Sequence, residues 1–221
     1  ITGACEPFVK HSYLVSKTED LPRIFKEAFH IAKTGRPGPV LIDIPIDIQQ
    51  NEIEKFEYPE TVNIIGYKPN TKGHIFQIKR AVEAIKNCKR PIIVSGGGVL
   101  SSGVKPKFQA FAEKTGIPVI STMMGIGVMP SEHELYLGML GTHGVKTANR
   151  AVNDCDTLFL IGARVGDRAV KTPLALERST KIIHIDIDPA EIGKNIGVDY
   201  PLVGDAKLVL RQLLELAEPI R

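Results

Sequence analysis

The chain has 221 residues, 28 basic and 25 acidic side chains for a formal net charge of +3, and 43% apolar residues. That length suits about one domain plus part of another, and the balance excludes a disordered, collagen-like or disulfide-scaffold chain. Lys and Arg are scattered rather than blocked, which excludes a nucleic-acid footprint, and the longest apolar runs, 91–100 and 157–163, fall short of the roughly 18 residues that span a bilayer.

Between residues 19 and 33 apolar side chains recur at helical spacing (Leu21, Ile24, Phe25, Ala28, Phe29, Ala32), with Asp20 placed to cap the start and Gly35 to end the helix. Pro37, Gly38 and Pro39 form a stiff turn into 40–44, a short apolar run that reads as a buried strand ending at Pro45. From 49 to 71 four glutamates and the breakers Pro59, Gly66 and Pro69 leave no sustained period, the pattern of a linker. The organisation that follows is a first segment at 1–50, a linker at 51–71 and a second domain at 72–221. In that domain helices are predicted over 75–86, 107–114, 145–152 and 206–217. Strands are predicted at 92–95, 119–122, 157–161 and 181–187, with a short apolar piece at 202–203. The alternation predicts an α/β fold, a doubly wound parallel sheet covered on both faces, preceded by a partial α/β segment.

Three cysteines, Cys5, Cys88 and Cys155, are an odd number without CxxC spacing, so neither a disulfide framework nor a zinc knuckle is indicated and a reducing cytoplasm fits. The chain opens at Ile1 with no secretory head and reads as part of something larger.

In a doubly wound sheet ligands bind at the carboxyl ends of the strands. Here those ends hold Gly96, Gly97 and Gly98, then Thr122, Met123 and Met124, then Gly162, Ala163 and Arg164 with Asp167 and Arg168, then Asp186 and Ile187, and finally Gly204, Asp205 and Ala206. Glycines let backbone approach a ligand, helix starts attract phosphate, arginine forks suit a diphosphate, and an acidic residue after a strand suits ribose hydroxyls. Together they describe a dinucleotide site. Each signal also has a plain structural reading. The run G-G-G-V-L-S lacks the third glycine of the usual fingerprint, and the near-Walker segment 98–105 has Val104 before its lysine and Pro106 after it, which rejects a P-loop. Arg164 and Arg168 suit surface ion pairs as well as a ligand, and Asp186 suits a turn cap before Pro189. His133, between two glutamates without metal spacing, is expected in solvent; His143, between Thr142 and Gly144, remains a ligand candidate; His184, alternating with isoleucines, reads as a core histidine. No G-x-S-x-G exists for a serine nucleophile.

T-G-R-P-G-P-V-L-I-D-I-P at 34–45 resembles the closing motif of the pyrimidine-binding domain of thiamine diphosphate enzymes, and with K-H-S-Y-L-V at 10–15 it resembles the acetolactate synthase large-subunit family. G-M-L-G-T-H-G at 138–144, G-A-R-V-G-D-R at 162–168 and H-I-D-I-D-P at 184–189 follow in that family's order and spacing. The resemblance implies FAD held by Arg36, Gly96 to Gly98, Thr122 to Met124, and Leu140, Gly141, Thr142 and His143. It also implies contacts from Gly162, Ala163, Arg164, Asp167, Arg168, Asp186, Ile187, Gly204, Asp205 and Ala206. A micromolar cofactor corresponds to about 8 kcal/mol, whereas an anion at a helix end gains at most about 2, so ring burial must supply much of the rest. The sequence departs from the family at Val165, Gly166 and 169–171, at Ile46 where many members carry lysine, and at Thr142 where many carry methionine.

The resemblance also implies that the intact enzyme joins pyruvate to a second 2-keto acid with loss of CO2 on thiamine diphosphate and Mg2+, for branched-chain amino acid synthesis. It implies a homo-oligomer with a small regulatory subunit; no nucleic-acid or membrane partner is expected from the charge and apolar patterns above. It places the catalytic glutamate before Ile1 and the G-D-G motif beyond Arg221, so this stretch alone is expected not to catalyse, and it assigns no catalytic or metal residue here. Two alternatives stand beside it: a glyoxylate carboligase or pyruvate oxidase type of FAD enzyme, and a nucleotide-free structural module.

Overall fold

The computed structural model describes residues 1–170, 176 and 179–219, and the chain divides into two compact units, Ile1–Pro69 and Asn70–Arg221. The first contains α1 (Thr2–Cys5), β1 (His11–Leu14), α2 (Leu21–Lys33), β2 (Val40–Asp43) and α3 (Ile46–Gln50). β1 and β2 run parallel, with His11 opposite Val40 and Leu14 opposite Asp43. β2 is half-buried rather than buried, because β1 is its sole strand partner among the described residues. α2 buries Ile24, Ala28 and Ile31 and leaves Phe25 and Phe29 exposed, a narrower stripe than the sequence suggests. Asp20 does not cap it: its φ of −79° and ψ of −14° are already helical, whereas a capping side chain works from an extended backbone, and its carboxylate pairs with Arg23 instead. α3 ends at Gln50, immediately before the predicted linker at 51–71, and Tyr67 near the linker's end meets Lys10 Nζ and Thr34 Oγ1 at 2.9 Å each.

The second unit contains α4 (Ile75–Lys86), β3 (Pro91–Ser95), α5 (Gly97–Ser101), α6 (Lys105–Thr115), β4 (Val119–Ser121), β5 (Tyr136–Met139), α7 (Lys146–Asp154), β6 (Thr157–Ile161), β7 (Lys181–Asp186), β8 (Tyr200–Val203) and α8 (Ala206–Leu216). Its six strands lie in the order β5-β4-β3-β6-β7-β8, all parallel. β3 and β6 are buried along their whole length, which is why they read as continuous apolar runs. Alternate residues divide between two cores. Ile93, Phe159, Ile183 and Leu202 pack with Ile78 of α4, Phe108 and Phe111 of α6 and Leu213 of α8. Ile92, Val94, Leu158 and Ile182 pack on the other face with Ala148 and Val152 of α7. β5 has no sequence signal because Y-L-G-M carries Gly138 at φ +98° and pairs with β4 through an irregular register. α5 is equally silent, opening on two glycines that disfavour helix. No helix among the described residues is long and apolar enough to cross a membrane. Strand order reverses between β3 and β6, and the crevice beyond their carboxyl ends is where an open α/β sheet offers a ligand site.

Candidate functional site

At the reversal the chain leaves β3 through Gly96, Gly97 and Gly98 and leaves β6 through Gly162, and these two turns touch each other. Gly96 N–H donates to Ile161 O and Gly98 N–H to Gly162 O, both at 3.0 Å. A Cβ on Gly96 would lie 2.1 Å from Gly162 O, and one on Gly98 would lie 2.7 Å from Gly162 Cα. Gly162 adds a φ of +55°. Three of the four glycines are therefore required by backbone contact within the protein, and they make a floor between the central strands. Gly97 instead faces Met124, whose Cβ would be 3.1 Å from a side chain there. Met123 and Met124 themselves are 63% and 72% exposed, an unusual state for large apolar side chains beside a crevice.

A second pair of turns walls a cleft of about 470 Å³ lined by Leu140, Gly141, Thr142, Asn149, Val152, Asn153, Arg168, Ala169 and Val170. Thr142 N–H donates to Arg168 O at 3.0 Å, which ties the turn after β5 to the turn after β6. Gly141 sits at φ +107°, and a Cβ there would lie 2.5 Å from Arg168 O. Asn149 on α7 takes Gly141 N–H on its Oδ1 and gives Nδ2–H to Gly141 O, both at 3.0 Å. Asn149, Val152 and Asn153 escape sequence reasoning. A polar residue inside a short amphipathic helix carries no local mark of what it reaches.

The charged candidates separate by what they already do. Arg164, Asp167 and Arg168 are exposed, and neither arginine has a carboxylate partner among the described residues. Asp167 Oδ1 accepts the N–H of Arg168 at 2.8 Å and shapes that turn. Asp186 Oδ1 accepts Asp188 N–H at 2.9 Å, the turn-cap role, and burial raises its carboxyl above the ordinary value. Asp205 caps α8 by accepting Lys207 N–H at 2.7 Å. Gly204 has no room for a side chain beside Val209 and Gly73. Leu140, Ala163 and Ala206 are buried, and of the three Leu140 lines the cleft.

His184 is 1% exposed, as a core histidine. One ring nitrogen, Nε2, lies 3.1 Å from Ala163 O and must carry the proton to donate there, leaving Nδ1 bare and buried without a partner. Burial lowers its pKa below the ordinary value, against the nearby Asp186 charge that raises it. Asn195 Nδ2–H donates to Val165 O at 2.6 Å on the same turn. His143 is exposed. His133 is half-buried rather than in solvent: Leu135 N–H donates to its Nδ1, so Nε2 is the protonated nitrogen and faces Glu113 at 3.2 Å. Arg36 belongs to the first unit, exposed on the turn between α2 and β2.

Comparison with known proteins agrees with this geometry. Residues 78–213, well over half of the chain, match the family "Thiamine pyrophosphate enzyme, central domain". The chain is 51% identical over 214 residues to a probable acetolactate synthase large subunit of Methanocaldococcus jannaschii, covering 96% of this chain and 36% of that one. It is 42% identical over 218 residues to the acetolactate synthase isozyme 3 large subunit of Escherichia coli, covering 98% and 38%. It thus spans little more than a third of these relatives' length. In fold it resembles the crystal structure of benzoylformate decarboxylase from Polynucleobacter necessarius, with a TM-score of 0.80 at 24% identity over 98% of this chain and 40% of that one. A six-stranded parallel sheet with its glycine turns at the strand reversal, matched by sequence over the same residues, establishes that this chain belongs to the thiamine pyrophosphate enzyme family and carries its central domain, as homologues of acetolactate synthase large subunits do.

Proposed function

We propose that this chain is the cofactor-holding portion of an acetolactate synthase large subunit, and that FAD lies across the carboxyl end of the six-stranded sheet. The observation that carries the reading is Arg168, exposed and without a carboxylate partner among the described residues, at a cleft otherwise lined by uncharged residues. The residues present fit the group. About 470 Å³ lies within the usual range for small-molecule sites, about 300–1,000 Å³, and accommodates part of a dinucleotide. Arg164 and Arg168 supply forked donors for a diphosphate. The exposed Met123 and Met124 offer a soft apolar surface for a ring system. Gly96 to Gly98, Gly162 and Ala163 contribute backbone beneath it, and Thr122, Ile187 and His143 are further contacts that the family resemblance supports.

In the intact enzyme thiamine diphosphate with Mg2+ would supply the electron sink for decarboxylating pyruvate and joining the product to a second 2-keto acid, with FAD serving structure rather than net redox. This chain's residues hold charge and position main chain: the arginines would neutralise phosphate, and the close-packed turns at Gly96, Gly98 and Gly162 would bring backbone beneath the cofactor. Its sequence has no G-D-G; G-D-R at 166–168 and G-D-A at 204–206 are the nearest. Pyruvate and other 2-keto acids as substrates, a homo-oligomer, a small regulatory subunit and a cytoplasmic setting belong to the same proposal.

The test is titration of the 221-residue chain with FAD and with ADP, read by flavin fluorescence and thermal midpoint, on the parent and on Arg164→Ala and Arg168→Ala. Saturable binding weakened about tenfold or more in each variant is expected, because each substitution removes a charge-assisted hydrogen bond to phosphate. Absence of binding to the parent overturns the FAD assignment. It would favour a nucleotide-free module, a reading for which the internal roles of Gly96, Gly98, Gly162, Asp186 and Asp205 speak directly.

A further inference from the structure

We infer that Asn149 is the positioning residue of the cleft, the side chain that fixes the turn after β5 in its ligand-receiving shape; the ligand part of the inference rests on the function proposed above. Its amide presents an acceptor and a donor in one plane, and both are used on the same residue: Oδ1 on Gly141 N–H and Nδ2 on Gly141 O, each at 3.0 Å. The pairing leaves no freedom to the amide's orientation, because a flipped Asn149 would set oxygen against oxygen and donor against donor. Gly141 is held at φ +107°, with its Cα turned against Arg168 O so closely that no Cβ fits. The next residue, Thr142, then places its N–H on Arg168 O at 3.0 Å. One side chain on α7 therefore sets Gly141, Gly141 sets Thr142, and Thr142 holds the backbone of the residue whose guanidinium edges the cleft.

The placement on α7 matters as much as the hydrogen bonds. Val152 and Asn153, a turn further along, line the same cleft, and Ala148 and Val152 seat α7 in the core. The helix is thus anchored in the core where Asn149 stands, and the turn after β5 is what it holds. Nδ2 also reaches Val145 O at 3.3 Å, at the start of the same helix. Aspartate would keep the acceptor for Gly141 N–H but offer no donor to Gly141 O, and alanine would offer neither.

The experiment compares the parent chain with Asn149→Ala, Asn149→Asp and, as a control on the same helix, the exposed Arg150→Ala. Amide hydrogen exchange is followed at Gly141, Thr142 and the core residue Ile183, alongside FAD and ADP affinity and the thermal midpoint. In Asn149→Ala, exchange at Gly141 and Thr142 rises about tenfold or more relative to Ile183 and both ligands weaken about tenfold, while Asn149→Asp falls between it and the parent. Arg150→Ala matches the parent throughout. A uniform rise in exchange that includes Ile183 would mean a merely structural residue and overturns the inference. So does unchanged exchange at Gly141, or faster exchange there with ligand affinity unaltered. If the parent binds neither FAD nor ADP, the proposed function fails on that result, and Gly141 exchange alone still decides whether Asn149 sets the turn.

Discussion

Gly162 is where the two central strands' exits meet, and its side of that contact is all backbone. Alanine there would bring a Cβ within 2.7 Å of Gly98 Cα and 2.9 Å of Gly98 C, at a φ of +55°. Neither neighbour is a flexible side chain that can turn away. Gly162→Ala is therefore expected to cost about 3 kcal/mol or more, overpacking added to left-handed strain. Gly193, at φ +76° with open space around it, is the control: Gly193→Ala should lose only the left-handed term, about 1–2 kcal/mol. Denaturant midpoints at constant slope measure both. At this scale the sequence was legible by position and not by role. It marked Gly96, Gly98 and Gly162 as strand-end glycines, yet only the fold shows that they pack on each other. Asn149 was illegible because its partner is eight residues away across a turn whose shape no residue in between announces.

At the scale of elements, α8 shows how one acidic residue can satisfy two readings. Asp205 stands where an FAD contact is implied by resemblance, and its Oδ1 accepts Lys207 N–H as a helix cap. Asp205→Ala should cost about 1 kcal/mol of stability through the lost cap; with Oδ1 used by the cap and Oδ2 left to accept, thermal midpoint and ADP titration on one variant separate the cap from a ligand contact. Helices and strands were read well where burial is complete. α4 and β6 have the predicted bounds, because periodicity and an unbroken apolar run are direct imprints of packing on one face or two. The misses share the opposite cause: β1, β5 and α5 are short, half-buried or glycine-led, and tertiary contact rather than local pattern holds them. The apolar face of α2 was over-read for a related reason, its two phenylalanines being apolar without being covered.

For the whole molecule, His184 links stability to pH. Burial holds its folded pKa below the unfolded value near about 6.5, so the unfolded chain takes up the proton first. Its contribution is intact above about 6.5 and is lost as pH falls through that value towards the folded one. Asp186 acts with the opposite sign: its raised pKa favours the fold in acid, and that benefit disappears as pH rises through its folded value. His184→Gln keeps a donor for Ala163 O and cannot titrate. It should be less stable than the parent at neutral pH, with a smaller further loss between about pH 7 and 5, as urea midpoints across that range would show. The strand order carries a different consequence, for the path by which the chain folds. β3 pairs with β4 and β4 with β5, and likewise β6 with β7 and β7 with β8; in this sheet β3 with β6 alone joins strands that are not successive in the chain, Pro91 opposite Thr157. Each three-stranded wing closes short loops, whereas the seam closes the longest one, and slow steps in folding belong to such non-local pairings. The crevice proposed above for a nucleotide lies on that seam, so the pairing expected to form last is the one across which a bound nucleotide would hold the two wings together.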